Sequence, residues 1–103
     1  MALTLEEEFR RAVEAHTSGD LKLADRLYMA ILEAEPNHSF ANHNVGVLRC
    51  SEGKKEEALS FFRAAVDLKQ DVEQFWVSYI EALVSFNYID EAKAAFNQAN
   101  LIF

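Results

Sequence analysis

The chain has 103 residues, half of them hydrophobic, and its 10 Lys and Arg stand against 17 Asp and Glu, which gives a net charge of −7. This length suits one domain with a buried core, and three glycines with one proline leave no room for a flexible linker. The acidic balance argues against nucleic acid as a partner, and no run approaches the roughly 20 apolar residues that cross a bilayer.

The first two predicted helices span residues 4–17 and 21–34. Thr4 and Glu7 have the spacing of a capping box, and apolar residues then recur at helical spacing until a glycine-containing turn. The second helix ends before Pro36, because the residue that precedes a proline disfavours the helical conformation. The two helices predict a helical hairpin.

Two further hairpins follow at the same spacing. The second is predicted over residues 39–52 and 55–68, with a glycine between its helices. The first helix of the third hairpin is expected to be capped by Asp71 and Gln74, and the last helix covers residues 89–101. The chain is therefore predicted to be all-α, with six helices.

The three hairpins keep a register of 34 residues without an insertion. A fixed period of this length indicates one supersecondary unit that stacks on copies of itself, so the predicted fold is an α-solenoid of three helix-turn-helix repeats. Four columns carry the register: Ala24, Ala58 and Ala92; Tyr28, Phe62 and Phe96; Ile31, Ala65 and Ala99; and Gly19, Gly53 and Asn87.

On these columns, together with Pro36 and Trp76, the chain resembles the tetratricopeptide repeat family. The resemblance implies a single domain over residues 1–103, with repeats at about 5–38, 39–72 and 73–103. It also implies a right-handed superhelix in which the first helix of each repeat, the A helix, lines a concave groove. Such grooves hold a peptide or a partner helix, so the implied function is protein binding without catalysis.

Ten groove positions follow from the resemblance, and five of them are apolar. They form a stripe that suits a hydrophobic or amphipathic segment, although the same side chains can also complete the packing between adjacent A helices. The positions are Phe9, Val13, His16, Phe40, His43, Asn44, Val47, Val77, Ser78 and Glu81.

Family members that grip the carboxylate end of heat-shock chaperones resemble one another in a clamp of Lys, Asn and Arg. The corresponding residues here are Phe9, Val13, Asn44, Gln74 and Ser78, so only the asparagine matches. An anionic tail requires cations. We therefore predict that the chain does not bind chaperone tails.

The sequence offers little for catalysis or cofactors. His16 and His43 would approach each other across neighbouring A helices with Glu81 nearby, which makes one candidate metal site, but ordinary groove histidines are the favoured interpretation. Cys50 has only Arg49 and Lys54 as basic neighbours in sequence, which argues against a nucleophile. We expect neither a metal nor a cofactor, and no enzyme activity.

The two ends of the predicted stack differ. Charged residues cover the outer side of the first helix, as a terminal repeat requires. The last helix instead presents a candidate self-association face of Phe96, Ala99, Ile102 and Phe103. We expect that the chain was cut from a longer protein; end-to-end self-association and rearrangement of the last helix are the alternatives.

The first two repeats also look similar to the N-terminal arms of bacterial glycosyltransferases and sulfotransferases. The similarity lies in four short segments: Gly19-Asp20, Leu27-Tyr28, Glu35-Pro36-Asn37-His38 and Val45-Gly46-Val47-Leu48. The primary expectation is a groove that binds a protein or peptide; the alternatives are a self-assembly element and the recruiting arm of a larger enzyme.

The segment after Met1 does not read as a secretory signal, and a lone cysteine fits a reducing compartment, so we expect a cytoplasmic protein.

Overall fold

A computed structural model describes residues 3–103; Met1 and Ala2, which open the predicted domain, lie outside the described residues. Within that range the chain forms six α-helices, paired as three antiparallel hairpins, which confirms the predicted all-α solenoid. The helices are α1 (Leu5–Thr17), α2 (Leu21–Ala34), α3 (Ser39–Ser51), α4 (Lys55–Leu68), α5 (Glu73–Ser85) and α6 (Ile89–Ile102).

Local side-chain chemistry sets the starts of the first three helices. The predicted capping box is present: the backbone N–H of Glu7 donates to Thr4 Oγ1, and that of Thr4 donates to the Glu7 carboxylate, both at 3.1 Å. Asp20 caps α2. His38 caps α3 through Nδ1, which accepts from the backbone N–H of Ala41 at 3.1 Å. The sequence did not predict this cap, because histidine is an uncommon residue there.

The predicted cap of α5 is wrong. The residue that precedes the helix is Val72, in extended conformation, and its side chain has no atom that could accept a hydrogen bond. Asp71 lies one position too early to act as the cap. The Gln74 side chain instead donates to Ser78 Oγ at 3.0 Å, one turn further along the same helix.

The turn inside each hairpin uses a left-handed residue. Gly19, Gly53 and Asn87 have φ values of +89°, +73° and +68°. Glycine adopts this conformation freely, and asparagine tolerates it better than most residues. The fourth column of the repeat is therefore a backbone requirement, and it explains why Asn87 substitutes for glycine in the third hairpin.

Each hairpin closes over small residues, and the hairpins stack along one axis. Ala12 and Ala24 are fully buried between α1 and α2. In the second hairpin the ring of Phe62 lies directly on Gly46, where an added Cβ would stand 2.7 Å from two ring atoms. The stack is elongated, with principal extents of 47 × 27 × 21 Å, as expected when the core follows an axis.

A buried arginine joins the first two hairpins. The guanidinium of Arg49 on α3 donates to both carboxylate oxygens of Asp25 on α2, at 3.0 and 3.2 Å, and to Glu52 at 3.3 Å. Burial opposes its charge, but the bonds to Asp25 and the nearby carboxylates outweigh that effect and raise the pKa of Arg49. This contact lies outside the sequence predictions.

The Gly46–Phe62 contact leads to a stability prediction. We expect Gly46→Ala to lower the free energy of unfolding by about 1 kcal/mol, because the overlap with the ring costs more than the gain in helix propensity. Urea unfolding followed by circular dichroism measures the change.

The matched background is Phe62→Leu, which removes the Cε1 contact and replaces the rigid ring with a smaller, more flexible side chain. There Gly46→Ala should be neutral or stabilising. An equal cost in both backgrounds would show that the ring is not the cause.

Candidate binding groove

The predicted groove residues lie on α1, α3 and α5, the A helices of the three hairpins. We call the side of the stack that they share the groove face. Phe40, Val77 and Glu81 are exposed, whereas His43 is buried. The remaining members are partly buried: Phe9, Val13, His16, Asn44, Val47 and Ser78.

An aromatic row crosses the groove face from α1 to α5. The ring centroids of Phe9 and Phe40 are 6.4 Å apart, and those of Phe40 and the buried Phe75 are 5.0 Å apart with an edge-to-face arrangement. Lys69 places its ammonium 5.8 Å from the Phe40 ring, and 41% of Phe40 remains exposed. The row therefore combines a packed base with an accessible upper edge.

A chain of hydrogen bonds runs beside this row, and its first half joins α1, α2 and α3. Tyr28 lies on α2, but its hydroxyl reaches His16 Nδ1 on α1 at 3.1 Å. The side-chain amide of Asn44 on α3 donates to the same hydroxyl at 3.2 Å. One phenol thus links three helices.

The second half of the chain continues from α3 to α5. Asn44 Oδ1 lies 2.9 Å from His43 Nδ1, and His43 Nε2 lies 2.8 Å from Ser78 Oγ. Gln74 completes it by donating to Ser78 Oγ. We refer to these six residues as the polar chain; they are His16, Tyr28, Asn44, His43, Ser78 and Gln74.

One arrangement of protons satisfies every link of the polar chain. Because Asn44 donates to Tyr28, the phenol proton is free to point at His16 Nδ1. The imidazole of His43 is then neutral: its Nδ1–H donates to Asn44 Oδ1, and its Nε2 accepts from the Ser78 hydroxyl. The bonds therefore run in a single direction, from Gln74 to His16.

Burial favours the neutral forms of His43 and Tyr28 in the polar chain. It lowers the pKa of His43, against the opposing effect of the bond to Asn44, and the ring stacks on Phe75 at 5.0 Å between centroids. Burial likewise raises the pKa of Tyr28. His43 and Tyr28 are thus favoured in their neutral forms, and hydrogen bonds join both of them to Asn44.

The sequence analysis does not predict the role of Tyr28 in the polar chain. The repeat register places Tyr28 in the aromatic column of the core, and its ring is fully buried there. A signal was available, because the same column holds phenylalanine at positions 62 and 96. A buried hydroxyl requires a partner, so a tyrosine in this column indicates a polar group nearby.

The histidines do not converge on a metal site. Tyr28 and Asn44 separate His16 from His43, and within residues 3–103 no three His, Cys, Asp or Glu side chains gather where they could hold an ion. Cys50 is partly buried, and burial raises the pKa of its thiol, which disfavours the reactive thiolate.

The predicted self-association residues lie on α6 and, for Phe103, directly after it. Phe96 and Phe103 have more than half of their surface exposed, and Ile102 is also exposed. Ala99 is different, since it is buried in the core cluster that α4, α5 and α6 share. It faces inwards because α6 must bury a small residue against its own hairpin, so it is removed from the candidate face.

Three stacked helical hairpins with a side-chain-lined groove define an α-solenoid of the protein-interaction class. The tetratricopeptide repeat family model matches residues 41–72, which are the second hairpin almost entirely. The six described helices repeat this hairpin three times in a 34-residue register, so the chain is similar to the tetratricopeptide repeat family on both sides of the matched segment as well. No curated protein matches its sequence significantly.

Solved structures share this fold at low identity. A mutant O-GlcNAc transferase from Thermobaculum terrenum is similar with a TM-score of 0.86 and 23% identity, over 99% of this chain and 20% of the transferase chain. The second repeat domain of Spaghetti (RPAP3), bound to the HSP90 peptide SRMEEVD, has a TM-score of 0.83 and 19% identity, with 96% and 92% covered. MamA from AMB-1 has a TM-score of 0.80 and 19% identity, with 96% and 54% covered.

The chain thus spans about a fifth of the length of the transferase. None of the helices in the described range is long and apolar enough to cross a membrane.

The buried, neutral His43 predicts a pH dependence. Because its pKa in the folded state is lowered while the unfolded chain titrates near the ordinary value of 6.5, the unfolded state binds more protons as the pH falls below that value. The contribution of His43 to stability is therefore complete above about pH 6.5 and is lost towards lower pH.

Urea unfolding between pH 8 and pH 5 measures this loss, and His43→Gln, which keeps a donor and an acceptor, should show a shallower decline. A proton NMR titration of the wild-type ring gives the pKa directly. A value at or above 6.5 would contradict a buried neutral imidazole.

Proposed function

We propose that the groove face binds a peptide or a helix of a partner protein. The observation that carries this proposal is the pairing of exposed apolar side chains with a fixed polar base. Phe40 and Val77 are 41% and 36% exposed, and the hydrogen bonds of the polar chain join α1, α2, α3 and α5. A surface already held in one geometry loses little entropy on binding.

The composition of the groove face favours an amphipathic ligand. Phe9, Phe40 and Val77 offer apolar contact, while Ser78 and Asn44 are uncharged. Glu81 is exposed one turn along α5 from Val77, and it would suit a basic side chain at the edge of the ligand. We therefore propose a helical or extended segment with apolar anchors, without a cluster of acidic residues.

A second proposal concerns context. The fold is similar to one fifth of the Thermobaculum terrenum O-GlcNAc transferase chain, and it matches that part over almost its whole length. We propose, as an alternative, that this stack acts as the recruiting arm of a larger enzyme. The groove would then position a protein acceptor, and catalysis would lie in another part of that enzyme.

The groove proposal predicts which substitutions abolish binding. Amphipathic peptides selected against the wild-type chain from a displayed random library should bind in the groove, with NMR shift changes centred on α1, α3 and α5. Phe40→Glu and Val77→Glu should each weaken binding at least about tenfold, because a carboxylate replaces an apolar anchor.

Met29→Glu is the matched control. Met29 is 40% exposed, almost the same as Phe40, but lies on α2 away from the groove face. It should leave binding unchanged, and circular dichroism shows whether each variant remains folded. Equal losses in all three variants, or shift changes confined to the even-numbered helices, would refute groove binding.

The chaperone-tail prediction can be tested with the peptide named for Spaghetti. We expect SRMEEVD to show no binding by calorimetry, because an anionic tail requires cations, and the clamp positions here include Phe9, Val13 and Ser78. The matching asparagine, Asn44, already uses its amide on Tyr28 and His43. Micromolar affinity would overturn the prediction.

A further inference from the structure

The hydrogen bonds of the polar chain all run in one direction, and this gives its two ends different chemistry. At the α5 end, the side-chain amide of Gln74 donates to Ser78 Oγ, so its carbonyl oxygen Oε1 is left over as an acceptor. At the α1 end, His16 Nδ1 accepts from the Tyr28 phenol, so the proton of the neutral ring lies on Nε2. The polar chain therefore ends in an acceptor on α5 and a donor on α1.

Both end groups are open to a ligand. Among residues 3–103, the buried side-chain nitrogen or oxygen without a partner is Arg49 Nε, so His16 Nε2 is in contact with solvent. Gln74 is an exposed residue. Asn44, in the middle of the polar chain, already uses its oxygen and one amide hydrogen within it. The ends are thus the parts of the polar chain that are best placed to bind.

Two features strengthen the difference between the ends. Hydrogen bonds that run in one direction polarise one another, which strengthens the donor on His16 and the acceptor on Gln74. Glu81 adds an exposed carboxylate about two turns beyond Gln74 on the same side of α5, and in the described part of the chain it forms no ion pair. The Lys69 ammonium is directed to the Phe40 ring instead.

On the basis of the groove function proposed above, we propose that the groove face fixes the orientation of its ligand. A basic side chain of the ligand lies over Gln74 and Glu81 on α5, an amide oxygen lies over His16 Nε2 on α1, and apolar side chains contact Phe40 and Val77 between them. A neutral amide fits the α1 end better than a carboxylate, because the chain has a net charge of −7.

The reversed orientation is disfavoured by its unpaired groups. A lysine or arginine side chain has donors but no acceptor, so over α1 it would meet the Nε2–H of His16 without a hydrogen bond. Gln74 and Glu81 would at the same time lose their cation. The apolar contacts supply affinity in either orientation, and the ends of the polar chain decide between the two.

NMR of the free 103-residue chain tests the direction of the polar chain without any ligand. At pH 8, above the ordinary pKa of histidine, long-range proton–nitrogen spectra distinguish protonated from bare ring nitrogens. His16 should carry its proton on Nε2 and His43 on Nδ1, and His43→Gln assigns the two sets of signals. The opposite pair of tautomers, or a mixture at His16, would overturn the proposal and leave groove binding itself intact.

Double-mutant cycles with the peptides selected from the displayed library test the orientation. Those peptides should share a basic residue and an amide residue. Changing the basic residue to Met should couple to Glu81→Gln by about threefold in affinity, and changing the amide residue to Met should couple similarly to His16→Phe. Circular dichroism shows whether each variant remains folded.

Glu33→Gln is the matched control, because it removes an exposed carboxylate from α2 and should couple to neither peptide substitution. Coupling of the crossed pairs, the basic residue with His16→Phe and the amide residue with Glu81→Gln, would show the reversed orientation. Groove-bound peptides that lack a basic residue, or that show no coupling in any pair, would also overturn the proposal. A peptide set that binds outside the groove would instead refute the groove function on which the proposal rests.

Discussion

The aromatic residue on the second helix of each hairpin must be covered by the next hairpin, and most features of the molecule depend on this requirement. Tyr28 and Phe62 are too large to be buried by their own hairpins alone, so α3 and α5 pack over them. The coverage propagates the stack along one axis and fixes the relative positions of the A helices. Phe96 holds the same column on the last described helix and is 54% exposed.

The groove face depends on the same packing between helices. Because Phe62 fits against Gly46, α4 approaches α3 closely, and the ring also supports His43 at 5.6 Å between centroids. Tyr28 adds a hydroxyl that passes from the core to the groove face and receives the amide of Asn44. The base of the groove is therefore held by core residues, which explains how short polar side chains on three helices keep a defined geometry.

The sequence predicted the periodic part of this architecture, and the structure shows why the rest was beyond it. Small, aromatic and left-handed positions recur because each repeat meets the same steric demand, so Asn87 could be assigned to the glycine column from its register alone. The polar chain depends on which side chains meet after stacking: His43 and Ser78 are 35 residues apart and not in one column. The contact of Arg49 with Asp25 could not be predicted for the same reason. The cap of α5 was predicted wrongly because packing, and not a capping side chain, sets the start of this helix.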